Sequence, residues 1–263
     1  MRIKLISFIT CVILMSSLAN ADTIFNDGAY HLINYTINGR VYIDQGKPGV
    51  GTQIEITTGG RIAGNYYTVA YGNSHVAVTG GILDWSLMCT DNSTAIVNNA
   101  SYFGSQLVAA GYSDVTVGDC TVKLSTVAED HSVMHITDGS LGNYNFEVHD
   151  QAEVFWSGGI NSADIMSGTE YSSTNNCLIT YIGTNFAVNG IPLENGHSAR
   201  DYASHGTFSG YACLTGRITG TLANGDPLNN TFYIFPGADI IVVPEPATLL
   251  LLGLGAVVLR RKR

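Results

Sequence analysis

Positive charge is scarce in this chain, which has 12 Lys and Arg residues against 21 Asp and Glu residues among its 263 residues. Half of the basic residues lie in the first four or the last four positions, so residues 22–242 keep six basic and twenty acidic side chains. The net charge of this body is therefore −14. Such a surface repels nucleic acid and anionic membranes, so we expect neither as a partner.

Long hydrophobic runs are also missing, and the two short ones lie near the two termini. The first, from Leu5 to about Leu18, follows two basic residues and precedes Ala19 and Ala21 in an A-x-A arrangement. This is the pattern of a secretory signal peptide, which predicts a signal helix at residues 1–21 and cleavage after Ala21. The second run has 13 uncharged residues, 247–259. A helix of that length covers about 20 Å, less than the ~30 Å hydrocarbon core of a bilayer.

The stretch "VPEPATLLLLGLGAVVLRRKR" has three parts in order, a Pro-Glu-Pro tripeptide, a short apolar segment and a basic cluster. This order resembles the PEP-CTERM sorting signal of exopolysaccharide-producing Gram-negative bacteria. The resemblance implies recognition by an exosortase-type membrane transpeptidase, a short transmembrane helix before the tail is removed, and delivery to the cell surface or extracellular matrix. It implies no activity for the rest of the chain. The residues that carry it are Val243, Pro244, Glu245, Pro246, Arg260, Arg261, Lys262 and Arg263.

Cysteine is sparse, but the number that remains after signal cleavage is even. An even number in an oxidising compartment favours disulfides, and four cysteines allow three connectivities. A bridge between Cys177 and Cys213 would fasten the less regular last third of the body. The four candidates are Cys89, Cys120, Cys177 and Cys213.

Helical periodicity is absent from the body, and a repeat of about 20 residues takes its place. Segments such as "GNSHVAVTGG", "DNSTAIVNNA" and "GYSDVTVGDC" start 19 or 20 residues apart, and each holds a short alternating run between turn residues. One such unit cannot bury its apolar face alone, so successive units must stack. Two columns align across the units: Ser74, Ser93, Ser113, Ser132 and Ala152, and Val78, Val97, Val117, Ile136 and Trp156.

These columns predict an all-β fold, a single-stranded parallel β-helix with coils of about 20 residues. Right-handed winding is expected from the crossover rule. A β-sandwich is the alternative, but it would not align columns. We expect an N-terminal cap at 22–50, coils at 51–170, the last coils with a C-terminal cap at 171–242, and the sorting signal at 243–263. The body resembles β-helical passengers of other PEP-CTERM proteins, including the ending "TGTLANGDPLNNTFYI".

One polar cluster combines carboxylates and imidazoles in neighbouring coils, and we call it the polar corner. Asp130 and Asp150 share a column with Gly72, Asp91 and Gly111, which favours a turn that needs positive φ or an Asx-turn. Two other interpretations stay open, a cation site such as calcium and the carboxylate pair of a retaining glycosidase. The polar corner consists of Glu129, Asp130, His131, His149 and Asp150.

No sequence motif for catalysis appears, since G-x-S-x-G, H-E-x-x-H and a Gly-rich phosphate loop are all absent. β-Helical polysaccharide lyases resemble one another in using an Arg or Lys base beside calcium-binding carboxylates. Between Gly51 and Glu170 the basic residues are Arg61 and Lys123, in coils far apart. We therefore expect a non-enzymatic, cofactor-free surface or matrix protein with a structural, adhesive or exopolysaccharide-associating role. A polysaccharide hydrolase or lyase is the alternative.

Overall fold

The computed structural model describes residues 22–99, 101–169 and 175–245, and their main elements are short β-strands. The predicted signal helix with Ala19 and Ala21 lies outside these residues. So does the predicted C-terminal helix, together with Pro246 and the terminal basic residues. Within the described ranges, no helix is long and apolar enough to cross a membrane.

The strands follow one another in three groups along the chain. The first group is β1 (Thr23–Phe25), β2 (Tyr30–Ile33), β3 (Thr36–Asn38), β4 (Val41–Ile43), β5 (Gln53–Thr57), β6 (Arg61–Ala63), β7 (Tyr67–Ala70), β8 (His75–Thr79) and β9 (Ile82–Leu83). The second is β10 (Ser86–Cys89), β11 (Thr94–Asn98), β12 (Ser101–Phe103), β13 (Leu107–Ala109), β14 (Asp114–Val117), β15 (Cys120–Val122), β16 (Thr126–Ala128), β17 (Val133–Leu141), β18 (Asn145–Val148) and β19 (Glu153–Asn161). The third is β20 (Asp164–Ser167), β21 (Leu178–Val188), β22 (Ile191–Pro192), β23 (Ser204–Phe208), β24 (Tyr211–Leu222), β25 (Pro227–Ile234) and β26 (Asp239–Pro244), with a 3-10 helix at Ala199–Tyr202.

The fold is a parallel β-solenoid of about seven turns of roughly 20 residues, which confirms the predicted class. Each coil contributes one strand to each of three faces. Face A contains β2, β5, β8, β11, β14, the first halves of β17 and β19, then β21 and β26. Face B contains β3, β6, β9, β12, β15 and the second halves of β17 and β19. Face C contains β1, β4, β7, β10, β13, β16, β18, β20 and β25.

The core lies inside the solenoid, where alternate residues of every strand point inward. The predicted apolar column is confirmed by strand register, because Val78 pairs with Val97, and the ladder continues coil by coil to Trp156. All of its members are fully buried, and the aligned serines are buried too. Near the C-terminal end the column becomes aromatic: the ring of Trp156 lies 4.5 Å from that of Phe146 and 5.5 Å from that of Tyr181.

The segment expected to be an N-terminal cap, residues 22–50, is instead part of the solenoid. Strands β1, β2 and β3 pair in parallel with β4, β5 and β6, in the same register as later coils. The repeat is hard to detect here because a longer turn follows Asp44, whose carboxylate accepts hydrogen bonds from the backbone amides of Gly51 and Thr52. This turn lengthens the step from β2 to β5 to 23 residues, from Tyr30 to Gln53.

The C-terminal part departs from the parallel pattern before it returns to it. Strand β24 runs antiparallel to β21, β23 and β25, and β22 forms a short antiparallel pair with β21. The chain then rejoins the solenoid, with β25 parallel to β20 and β26 parallel to β21. The segment therefore supplies the last parallel strands and an antiparallel layer across this end.

The expected disulfides are not formed. Cys89, Cys120, Cys177 and Cys213 are all buried and free in the described part of the chain. The first three point inward on different coils, and Cys177 donates to the backbone carbonyl of Val148 rather than meeting another sulfur. The Cys177–Cys213 pairing is therefore wrong for this structure. An even cysteine count carries no information about which strand faces the thiols occupy.

Candidate functional site

The backbone of the polar corner has the conformation of a repeated turn. Asp130 and Asp150 have φ of 60° and 56°, and Gly72, Asp91 and Gly111 in the same column have φ of 59°, 57° and 65°. Glycine reaches this left-handed region without steric cost, and Asp is among the few other residues that enter it readily. The backbone here therefore has the positive φ that the turn interpretation predicts.

Two carboxylates of this column bind the backbone of the preceding coil. Oδ2 of Asp130 accepts a hydrogen bond from the amide of Gly111 at 2.9 Å, and Oδ2 of Asp91 accepts one from the amide of Gly72 at 3.0 Å. Each of these two carboxylates thus connects its own turn to a glycine turn one coil earlier. For Asp91 and Asp130 this is a structural role.

Glu129 and His149 lie on neighbouring coils, as the columns predicted, but His149 takes a different partner. Its Nε2 lies 3.0 Å from Oε2 of Glu147, whose other oxygen accepts from Asn145 Nδ2 at 2.9 Å. Burial lowers the pKa of His149, but the hydrogen bond to Glu147 and the surrounding carboxylates outweigh it, so the pKa is raised from 6.5. The same hydrogen bond lowers the pKa of Glu147, against its burial.

Burial and the nearby charge of Asp130 raise the pKa of Glu129. A carboxyl with a raised pKa beside an ionised one is the arrangement that acid–base catalysis uses. Here, however, the imidazole is paired with Glu147, and the Asp130 carboxylate binds the Gly111 amide. Glu147 lies outside the aligned turn columns, two positions before His149. The spacing indicates the contact, because alternate residues of an extended segment point to the same side.

His131, the remaining member of the polar corner, stacks on Tyr112 with ring centroids 4.7 Å apart and planes at 21°. On face A, His135 and Phe155 stack in the same way, at 5.1 Å and 12°. Both pairs join neighbouring coils, so their facing ring surfaces cover each other. This arrangement reduces the flat area on which a sugar ring could stack.

Within residues 22–99, 101–169 and 175–245, no group of three or more His, Cys, Asp or Glu residues is arranged to hold a metal ion.

A cleft of about 310 Å³ opens in the C-terminal layer. It is lined by Arg200, His205, Gly206, Ala212, Cys213, Leu214, Ile234 and Pro236. The guanidinium of Arg200 donates hydrogen bonds to the backbone carbonyls of Phe235 and Ala238 at 3.2 and 2.7 Å. These hydrogen bonds hold the C-terminal layer together.

The sorting motif begins inside the solenoid. Val243 and Pro244 end strand β26, where they pair with Ile182 and Gly183 of β21. Glu245 follows, half-buried, as the last described residue. Pro246, Arg260, Arg261, Lys262 and Arg263 lie outside the described residues.

Comparison with known families matches residues 242–263 to the PEP-CTERM protein-sorting motif. No curated protein and no solved structure shows significant similarity to the chain. The motif implies an exported protein that is transiently anchored in the membrane and recognised by an exosortase. The chain therefore carries a PEP-CTERM protein-sorting motif after a β-solenoid body.

Proposed function

We propose that this chain is a non-catalytic, cofactor-free protein of the cell surface or extracellular matrix, with a structural, adhesive or polysaccharide-associating role. The observation that carries the proposal is the turn ladder at the polar corner. Its aspartates occupy positive-φ positions interchangeable with glycine, and the Asp130 carboxylate binds the preceding turn. Residues with these structural duties are poor candidates for acid–base chemistry.

The basic residues of the coils support the same proposal. Arg61 contacts Asp84 of the next coil through two hydrogen bonds, Nε to Oδ1 at 2.9 Å and a terminal nitrogen to Oδ2 at 2.8 Å. Its guanidinium lies on face B, whereas the polar corner joins faces C and A. A lyase needs a base beside its carboxylates, and Arg61 does not supply one.

Association with polysaccharide would use polar ladders rather than aromatic platforms. On face A, Thr57, Thr79 and Asn98 lie in register on consecutive coils, and none of them is buried. Neighbouring strands are about 4.8 Å apart, so hydroxyl and amide groups recur at that spacing over these three coils. The Thr79 hydroxyl donates to Oε1 of Glu55 at 3.1 Å and keeps its acceptor capacity. Such a ladder offers donors and acceptors to the hydroxyls of an extended glycan.

The test mixes the exported chain with exopolysaccharide from a producing bacterium and measures co-sedimentation and new glycan chain ends together. The variant Asp130→Gly/Asp150→Gly removes both carboxylates and keeps the backbone conformation already used at Gly72 and Gly111. Retention without new ends, equal in both proteins, supports the proposal. New ends that disappear in a folded variant would establish a hydrolase or lyase instead. Absence of both retention and new ends would refute polysaccharide association.

A further inference from the structure

The N-terminal end of the solenoid has an open edge made of three strands. Among the described residues, β1, β2 and β3 each pair with strands on one side only. The carbonyls of Phe25, Ala29 and Tyr35 accept amides of the second coil. Backbone groups alternate sides along a strand, so those of Ile24, Tyr30 and Leu32 point away from the solenoid, toward the open edge.

The same edge carries exposed apolar side chains. Ile24, Tyr30, Leu32 and Tyr35 are 52%, 56%, 45% and 53% exposed, and all belong to the first coil. Unpaired backbone groups beside exposed apolar residues form the type of edge on which another β-strand adds.

At the opposite end, the last described strands of faces C and A have both sides covered, and the open edge there is that of β23, which pairs with β24 alone. Strand β25 lies between β20 and β24, so both of its sides are paired. The outer side of β26 is covered by the segment before the 3-10 helix, where Gly196 donates to the carbonyl of Val242 at 2.8 Å and Ser198 bridges to Ile241. Continuation of the parallel ladders by head-to-tail stacking is therefore blocked on faces A and C.

The first two coils carry much less net negative charge than the rest of the body, so two of these acidic molecules repel each other least when they meet there. Residues 22–63 contain four acidic and three basic side chains, a net charge of −1 with neutral histidines. Residues 64–242 contain sixteen acidic and three basic side chains, a net charge of −13. Two copies that meet through their first coils keep the strongly charged regions at the far ends, which minimises their repulsion.

We propose that the open edge binds the open edge of a second copy, which forms a head-to-head dimer. A two-fold axis perpendicular to the solenoid reverses strand direction, so the strands meet antiparallel. The axis passes through face A, pairing β2 with its own copy and β1 with β3 of the other molecule. The strand lengths agree, because β1 and β3 each have three residues. The covered strands β25 and β26 offer no second parallel edge at the far ends, so the assembly stops at two.

The test measures the mass of the exported chain in detergent by sedimentation, over a range of concentrations. The exported form is used because the predicted signal at residues 1–21 directly precedes β1. Leu32→Lys places a charge on the open edge, which disfavours strand addition. The matched control is Ile96→Lys: Ile96 lies in the same outward column of face A three coils further on, and it is 44% exposed against 45% for Leu32.

We expect a dimer for the wild type and for Ile96→Lys, and half that mass for Leu32→Lys at the same concentration. A second measurement needs no variant: amide exchange at Tyr30 and Leu32 should be slow in concentrated wild-type protein and faster on dilution. A wild type that stays monomeric, forms larger assemblies, or remains dimeric in Leu32→Lys would overturn the proposal.

Discussion

Replacing Asp130 by Ala and by Gly separates the two contributions that this residue makes to its turn. Both variants lose the same negative charge and the same hydrogen bond to the Gly111 amide, but only alanine is strained at φ of 60°. The hydrogen bond lies at an exposed corner, so its loss should cost about 1 kcal/mol. Left-handed backbone costs alanine about 1–2 kcal/mol more. We therefore expect Asp130→Gly to lower the free energy of unfolding by about 1 kcal/mol and Asp130→Ala by about 2–3 kcal/mol.

The assay is urea denaturation followed by circular dichroism, with the three proteins compared at equal concentration. Asp114→Ala is the control, because Asp114 is an exposed residue of β14 that loses the same charge without positive φ. Its effect should stay within about 0.5 kcal/mol. Equal destabilisation by alanine and glycine at position 130 would refute the turn interpretation, because strain at positive φ would then contribute nothing.

Three further predictions concern other parts of the solenoid. The Glu147–His149 pair has a lowered carboxyl pKa and a raised imidazole pKa. Its contribution to stability is therefore complete between the ordinary pKa values of 4.5 and 6.5. It is lost as pH rises from there through the raised imidazole pKa, or falls through the lowered carboxyl pKa. The wild type should therefore exceed Glu147→Gln in urea midpoint by more at pH 5.5 than at pH 8.5, and an equal difference would contradict the pairing. Burial raises the pKa of the Cys89 and Cys120 thiols to about 12, so a thiol reagent at pH 8 should leave these two cysteines unreacted in the folded, exported protein. After denaturation all four should react, and only two would do so if a disulfide had formed. Trp156→Ala removes a fully buried ring that packs against Phe146 and Tyr181, so urea denaturation should show a loss of about 3–5 kcal/mol.

The middle of the fold was predictable because a solenoid repeats its register. Val78, Val97, Val117 and Ile136 could be aligned from spacing alone, and the observed strand pairs match that alignment. The ends were less predictable. The turn after Asp44 lengthens one coil, and the antiparallel strand β24 comes from a segment with no repeat partner.

At the polar corner, sequence columns predicted which residues are neighbours but not which hydrogen bonds they form. The proximity of Glu129 to His149 followed from their columns, whereas the pairing of His149 with Glu147 depends on the side-chain conformers of two residues in one short segment. Likewise, the stacking of Tyr112 on His131 requires the two rings to adopt matching orientations. Spacing fixes backbone positions, and side-chain conformers then select among the partners within reach.

The antiparallel layer around β24 has a mechanical consequence. In the coils, each strand is paired only with the coils before and after it, so tension applied to the N-terminal end peels them away one at a time. Each released coil of about 20 residues adds roughly 65 Å of extended chain. Strand β24 joins β21 to β25, so the region next to the sorting motif cannot unwind as a single strand. A molecule held at its C-terminal end and pulled at its N-terminal end would therefore lengthen in steps, one coil at a time. The antiparallel layer beside the C-terminal end would stay folded longest.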